Sequence, residues 1–377
     1  MYLLHAPKEK FGLIPPHASL TTDEVKFHNN YAYTNKYYWK KIHCKLGCDD
    51  VSPKEMIEMR KKRDFKRVLF IVKGAIGDSL WNMPAIRLFK EKYPNCYIYV
   101  ITDDKTKEIW QNCQFINGFG VDMFHNTQQL ILRSEEVYEF TGVATVYKEQ
   151  MKLDPCEAIV KEMGIEIPKI KEKMRPKLFV TVDEGNFAIE YLKEQGIDVK
   201  KDKIITFGLD ASTSNRHWPF DYVKILSKIL IQDGYKIIWV GKSDEYREEL
   251  LKPEDKIKGV FNQTGKTSLR NVMCLIKMSD IHINPNSGLL VISTALNTPT
   301  IGLFGAFDPK SRCKYYERFE ALYKPLGCSP CNEHWTECRH GHPAPCMKAI
   351  TPAMVYKAIK SMLRKEERSL LEKLPIK

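Results

Sequence analysis

The chain has 377 residues, 43% of them hydrophobic and 28% charged, which suits a globular protein of two or three domains and excludes a disordered polymer. No apolar run approaches the ~20 residues of a membrane span, and residues 1–10 lack a basic-then-apolar leader, so a cytoplasmic protein is expected. Of the net charge of +12, residues 1–67 hold a surplus of six and residues 351–377 a surplus of four, leaving the middle nearly neutral. Such ends suit an anionic membrane surface, a phosphorylated glycan or nucleic acid, or simply solubility.

Residues 1–65 read as a small N-terminal extension. Tyr31 to Trp39 alternates aromatic with small or polar residues, as a half-exposed strand does, and Lys54 to Arg63 follows Ser52-Pro53 as a short charged helix. His43, Cys44 and Cys48 form a small cluster that reads as structural.

Residues 66–170 then alternate strand and helix. Val68 to Val72 is a continuous β-branched and apolar run, the pattern of a strand buried on both faces. It breaks into Gly74-Ala75-Ile76-Gly77-Asp78, and a helix follows from Ser79 to Lys92 in which Pro84 predicts a break or a kink. Tyr97 to Ile101 is the next strand, and the charged, proline-bounded stretch 168–176 reads as a linker.

Residues 171–350 repeat the alternation. A helix over Asp183 to Gln195 precedes a strand at Lys203–Phe207, a polar loop over 210–217, a helix from Phe220 and a strand at Tyr235–Val240. Thr267 is expected to cap a helix with apolar positions Leu269, Val272, Met273 and Ile276. Then come a strand at Ile281–Ile283, a helix over Leu289–Leu296 and a strand at Thr300–Phe304, with residues 351–377 as a terminal helix. Two runs of strand–helix alternation predict an α/β protein of two Rossmann-like domains facing a cleft.

Ligands of such sheets bind at the carboxyl ends of the strands. Asp78 falls there, as a proton acceptor or as a cap on the helix amides. The turn is not a dinucleotide fingerprint: its spacing is Gly-x-x-Gly followed by an acid, and a carboxylate would repel a pyrophosphate. Gly265-Lys266-Thr267 is not a P-loop either, because five residues lie between Gly259 and Gly265 where that motif needs four. The loop after the strand at 203–207 offers hydroxyls on Ser212 and Thr213 and the forked donor of Arg216, which suits phosphate. Asn286-Ser287-Gly288-Leu289 opens a helix whose first amides attract anions such as a diphosphate.

Five ordered segments together resemble the bacterial heptosyltransferases, inverting glycosyltransferases of GT-B architecture. They are the strand, Gly-x-x-Gly-Asp turn and Pro-Ala of Val72 to Ala85; Arg216-His217-Trp218-Pro219; Thr264 to Leu269; Ser287-Gly288; and Phe304 to Pro309. The likeness runs from Arg67 to Met362. It implies that Asp78 is the general base and that Arg216 stabilises the departing nucleoside diphosphate. It further implies that Gly77, Ser212, Thr213, Asn286, Ser287, Gly288 and Leu289 bind the donor, and that no catalytic cofactor is needed. The leading expectation is heptose transfer from ADP-heptose to a lipopolysaccharide-type acceptor. Many members carry Asp and His where this chain has Asn286 and Val291, so another nucleotide sugar is the alternative donor.

Cys328-x2-Cys331-x6-Cys338-x7-Cys346 has a spacing suited to a structural zinc or iron, with reduced thiols or disulfides as alternatives and His334, His340 and His342 as spare ligands. Similar clusters occur in the autotransporter heptosyltransferases that modify protein, where iron binding is reported. A protein acceptor is therefore a rival reading, as are a transferase acting on nucleic acid, a basic nucleic-acid-binding protein and a degenerate sugar-binding protein. Contact with an anionic membrane surface and oligomer formation are further expectations.

Overall fold

The computed structural model describes residues 65–123, 127, 130–131, 133–140, 153–209, 211–242, 256–332 and 337–372, together with β1 (Leu4–His5), β2 (Val25–His28) and β3 (Tyr31–Thr34). β1, β3 and β2 form an antiparallel sheet in that order, so the expected strand at Tyr31 is present over four residues. The expected helix over 54–63 and the His43, Cys44 and Cys48 cluster lie outside the described residues. The chain divides into two units, Met1–Val146 with Cys156–Pro168, and Tyr147–Pro155 with Lys169–Lys377.

Unit 1 is built on a parallel sheet of β4 (Lys66–Val72), β5 (Cys96–Thr102), β6 (Gly118–Val121) and β7 (Glu136–Glu139), ordered β6-β5-β4-β7. β4 is central because Val68 to Val72 are apolar on both faces and all are buried. Phe70 stacks on Tyr138 at 5.1 Å and meets Phe89 edge-on at 5.9 Å, which fixes α1 (Ile76–Lys92) against the sheet. α1 continues through Pro84 rather than ending there. Leu80 to Phe89 are all buried, and packing on that scale outweighs the ~3 kcal/mol penalty of an internal proline. The short α2 (Lys107–Trp110) and α3 (Pro155–Glu162) complete the unit.

A boundary between the units falls between Pro168 and Lys169, at the start of the stretch expected as a linker, and the later residues of that stretch are pinned within unit 2. Met174 is fully buried, and Arg175 lies against Glu317 (3.5 Å) and Glu172 (3.8 Å) and donates to the Asn297 side chain. α4 (Val182–Glu194) begins at Thr181, whose hydroxyl accepts from Glu184 N–H (3.2 Å) while Glu184 accepts from Thr181 N–H (2.7 Å).

Six parallel strands follow: β8 (Ile204–Gly208), β9 (Lys236–Val240), β10 (Val260–Asn262), β11 (Ile281–Pro285), β12 (Thr300–Phe304) and β13 (Phe319–Tyr323). Their order is β10-β9-β8-β11-β12-β13, with the first three strands to one side and the last three to the other. The order reverses between β8 and β11, the place where ligands of open α/β sheets bind.

α5 (Phe220–Gln232), α6 (Leu269–Met278) and α7 (Gly288–Ala295) cover this sheet. α6 is capped by Ser268, not by the expected Thr267: Ser268 Oγ accepts from Asn271 N–H at 3.2 Å. Both residues carry a hydroxyl, and only the local backbone selects between them. After α8 (Pro345–Lys348), α9 (Pro352–Glu372) is no appendage. Its Val355, Ile359 and Met362 join the core formed by Phe207, Trp239 and Ile301.

Candidate functional site

In unit 1, β4 ends at the turn that carries Asp78. Gly74 has φ +130°, where side chains are rarely accommodated. Asp78 is half-buried in the first turn of α1 and its Oδ2 accepts the Ala75 N–H at 2.9 Å. The capping role is therefore real, and the same hydrogen bond orients the carboxylate at the sheet edge. Gly77 is buried in that first turn, where an added Cβ would lie 3.4 Å from the Trp81 ring. Two residues that the sequence reading missed stand on the same edge. Asp103, just past β5, accepts Gly74 N–H at 2.9 Å. Asp122, just past β6, pairs with Lys73 and accepts from Thr127 Oγ1 at 2.6 Å. Burial alone would raise the Asp122 pKa, but the Lys73 and Thr127 contacts outweigh it and hold the carboxyl below its usual range. The strand-end rule applied to every strand, rather than to β4 alone, would have found both.

In unit 2, the loop after β8 holds Ser212, Thr213 and Arg216. Arg216 Nε donates to Thr213 Oγ1 (2.9 Å), one terminal nitrogen to the Asn286 carbonyl (3.0 Å) and the other to Ser212 Oγ. One guanidinium thus ties the loop after β8 to the loop after β11, across the place where the strand order reverses. Asp210, in the loop after β8, lies outside the described residues.

The loop after β11 is held from behind by Asn284, which is fully buried and donates to Ser287 Oγ (2.8 Å) and to the Pro285 carbonyl (2.5 Å). Gly208 makes room for it, since a Cβ there would fall 1.5 Å from Asn284 Oδ1. His282 is also fully buried beside Thr206 Oγ1 (2.8 Å), and burial pushes its pKa down to about 3, so it is neutral and no proton donor at neutral pH. Ser287 and Gly288 then start α7, with Leu289 buried beneath them. The first amides of α7 and the Arg216 guanidinium make a positive pair of loops, the chemistry that holds a diphosphate.

Two further residues reinforce that charge. Phe307 lies under Arg216, 6.0 Å from ring to guanidinium, and the buried Arg312 stands 4.9 Å from the same ring. Burial, then the charge of Arg312, pushes the Arg216 pKa down to about 10, which leaves it cationic at neutral pH. Arg312 was not singled out in the sequence, although it lies three residues beyond Phe304-Gly-Ala-Phe-Asp-Pro309.

Cys328, Cys331, Cys338 and Cys346 line one cavity of about 370 Å³ with Glu337, Arg339 and His340. The nine described cysteines are free thiols, so the disulfide alternative is not realised among them. Burial, followed by Cys338 and Cys331, pushes the Cys346 thiol up. Among the described residues no three His, Cys, Asp or Glu side chains stand close enough together to hold a metal ion. His342 instead packs edge-on against His217 of the Arg216 loop at 5.8 Å, and His334 lies outside the described residues.

Residues 154–341 match the glycosyltransferase family 9 (heptosyltransferase) model. The chain carries a heptosyltransferase-family domain over these residues. The match takes in the loops of Arg216 and Ser287. Lipooligosaccharide heptosyltransferase 2 of Haemophilus influenzae is 29% identical over 152 residues, which is 38% of this chain and 44% of that protein. This chain thus spans less than half of that relative's length. The fold agrees with ADP-heptose lipopolysaccharide heptosyltransferase II of Escherichia coli, with TM-score 0.63 and 17% identity over 80% of this chain and 99% of that one. It also agrees with TibC, a dodecameric iron-containing glycosyltransferase of enterotoxigenic E. coli, with TM-score 0.58 and 16% identity over 82% of this chain and 80% of that one. Two sheets with this strand order are the GT-B architecture expected of the family. Among the described residues no helix is long and apolar enough to cross a membrane.

Proposed function

We propose that this heptosyltransferase-family chain is an inverting glycosyltransferase whose unit 2 binds a nucleoside-diphosphate sugar and whose unit 1 presents the acceptor base. The observation that carries the reading is Arg216, a half-buried cation joined to Thr213, Ser212 and the Asn286 carbonyl beside the start of α7. Asp78 takes the proton from an acceptor hydroxyl, and that oxygen attacks the anomeric carbon as its bond to the diphosphate breaks. A single displacement inverts the anomeric centre. Arg216 and the α7 amides offset the charge gathering on the departing diphosphate. Family membership supports ADP-heptose as donor and a lipopolysaccharide-type glycan as acceptor.

The test is a thermal-shift series with ADP, UDP and GDP, followed by turnover of ADP-heptose. ADP should raise the melting temperature most, by mass action on the folded state. Asp78→Asn should abolish transfer and leave that shift in place. No shift with any nucleotide sinks the reading.

We also propose the cysteine cavity as the seat of a structural zinc or iron, on the strength of four thiols lining it and of the iron in TibC. The thiols would have to draw together around the ion. Metal analysis of protein purified without chelator decides this, and less than about half an equivalent of either metal refutes it. Oligomer formation and contact of the basic ends with anionic membrane are parts of the same proposal, open to sedimentation and to vesicle binding.

A further inference from the structure

The turn after β4 gives two successive amides to two carboxylates from different places. Ala75 N–H goes to Asp78 Oδ2 at 2.9 Å, three residues ahead on the same turn. Gly74 N–H goes to Asp103 Oδ2 at 2.9 Å, from the end of the neighbouring strand. Asp103 has a nearer use available. It occupies the cap position of the single 3-10 turn Asp104–Thr106 with extended backbone (φ −76°, ψ 153°), where an aspartate ordinarily accepts the amides of its own helix. It makes no such bond. Its backbone carbonyl receives Thr106 N–H at 3.0 Å, while its carboxylate reaches across the sheet edge.

The amide it takes belongs to the residue with the least ordinary backbone in the turn, Gly74 at φ +130°. Gly74 also sits directly against Asp78, since a Cβ on it would lie 2.7 Å from Asp78 Oδ2. An anion held on Gly74 N–H fixes that backbone, and the fixed backbone sets where the Asp78 carboxylate stands. We propose that Asp103 is a positioning residue for Asp78, holding the Gly74 amide so that the turn presents the base in a single orientation. This rests on the reading of Asp78 as the base.

Asp103→Ala and Asp103→Asn are compared with Asp78→Asn in two measurements. The first is ADP release from ADP-heptose with heptose-deficient lipopolysaccharide as acceptor. Asp103→Ala should lower kcat by about 10- to 100-fold, the cost of a base displaced by about an ångström, with donor KM unchanged within about twofold. Asp103→Asn keeps an oxygen that can accept the Gly74 amide and should restore kcat to within about threefold of wild type. The second measurement is amide hydrogen exchange over residues 70–80, which should quicken in Asp103→Ala and not in Asp103→Asn. Wild-type kcat in Asp103→Ala, where Asp78→Asn is dead, overturns the proposal and leaves the base reading intact. If the wild type and Asp78→Asn turn over alike, the base reading fails instead. Unchanged exchange in Asp103→Ala refutes the hold on the turn whatever the turnover.

Discussion

Gly74 lies directly against Asp78: a Cβ on Gly74 would fall 2.7 Å from Asp78 Oδ2, and Gly74 has φ +130°. Gly74→Ala therefore meets both a steric and a backbone penalty. We expect a stability loss of about 1–3 kcal/mol from the strained backbone. We also expect a larger loss of kcat than of donor binding, because unit 2 is untouched. Thermal melts and steady-state kinetics check both parts, and an active Gly74→Ala enzyme with wild-type kcat removes the turn from the mechanism.

Arg216→Lys keeps the charge and discards the fork. A single ammonium cannot meet Thr213, Ser212 and the Asn286 carbonyl together. ADP affinity should fall by about tenfold or more, in line with the loss of one charge-assisted hydrogen bond. Isothermal titration with ADP measures this, and unchanged affinity would show that Arg216 holds the loops without touching the diphosphate.

Gly208→Ala should damage the donor loops from behind. The new methyl would fall 1.5 Å from Asn284 Oδ1, so Asn284 must leave its bond to Ser287. A buried amide displaced from its partners costs about 1–3 kcal/mol. The melting temperature and the ADP-induced shift should both drop. A variant that keeps both would mean that the strand end yields more easily than its burial suggests.

Glu184 ties stability to acid. The forked bond from Arg270, Nε to Oε1 (2.8 Å) and a terminal nitrogen to Oε2 (2.6 Å), holds its pKa down to about 2 against an ordinary 4.5. A depressed carboxylate stabilises the fold above its unfolded pKa and loses that contribution as pH falls through its folded one. Glu184→Gln should therefore lower stability at pH 7 by on the order of 2 kcal/mol, and the difference from wild type should shrink between about pH 4.5 and pH 2. Urea melts across that range test the sign, and a gap that widens toward low pH contradicts it.

How much of this was legible beforehand depended on how local the determining forces are. The strands at Val68–Val72, Lys203–Phe207, Ile281–Ile283 and Thr300–Phe304 were visible to within a residue or two at their ends, because a doubly covered parallel strand must be apolar throughout. Pro84 does not end its helix, since a local rule yields when the helix around it is buried. The stretch 168–176 does open at the boundary between the units, but its charge suggested solvent, whereas Met174 is buried and Arg175 is held by Asn297 and Glu317, more than a hundred positions away.

The chemistry divides along the same line. By itself the sequence determined the parallel alternation, the acid after the first strand, the arginine and hydroxyls after β8 and the small residues opening α7, because each depends on neighbours within a few residues. Only the tertiary structure decided which groups meet. Strand order brings the loop after β8 beside the loop after β11, so Arg216 reaches the Asn286 carbonyl seventy residues away. It likewise sets β5 beside β4, so Asp103 reaches Gly74 across twenty-nine. Hydrogen bonds act over about 3 Å of space whatever the distance along the chain, and it is the pairing of strands that converts one into the other.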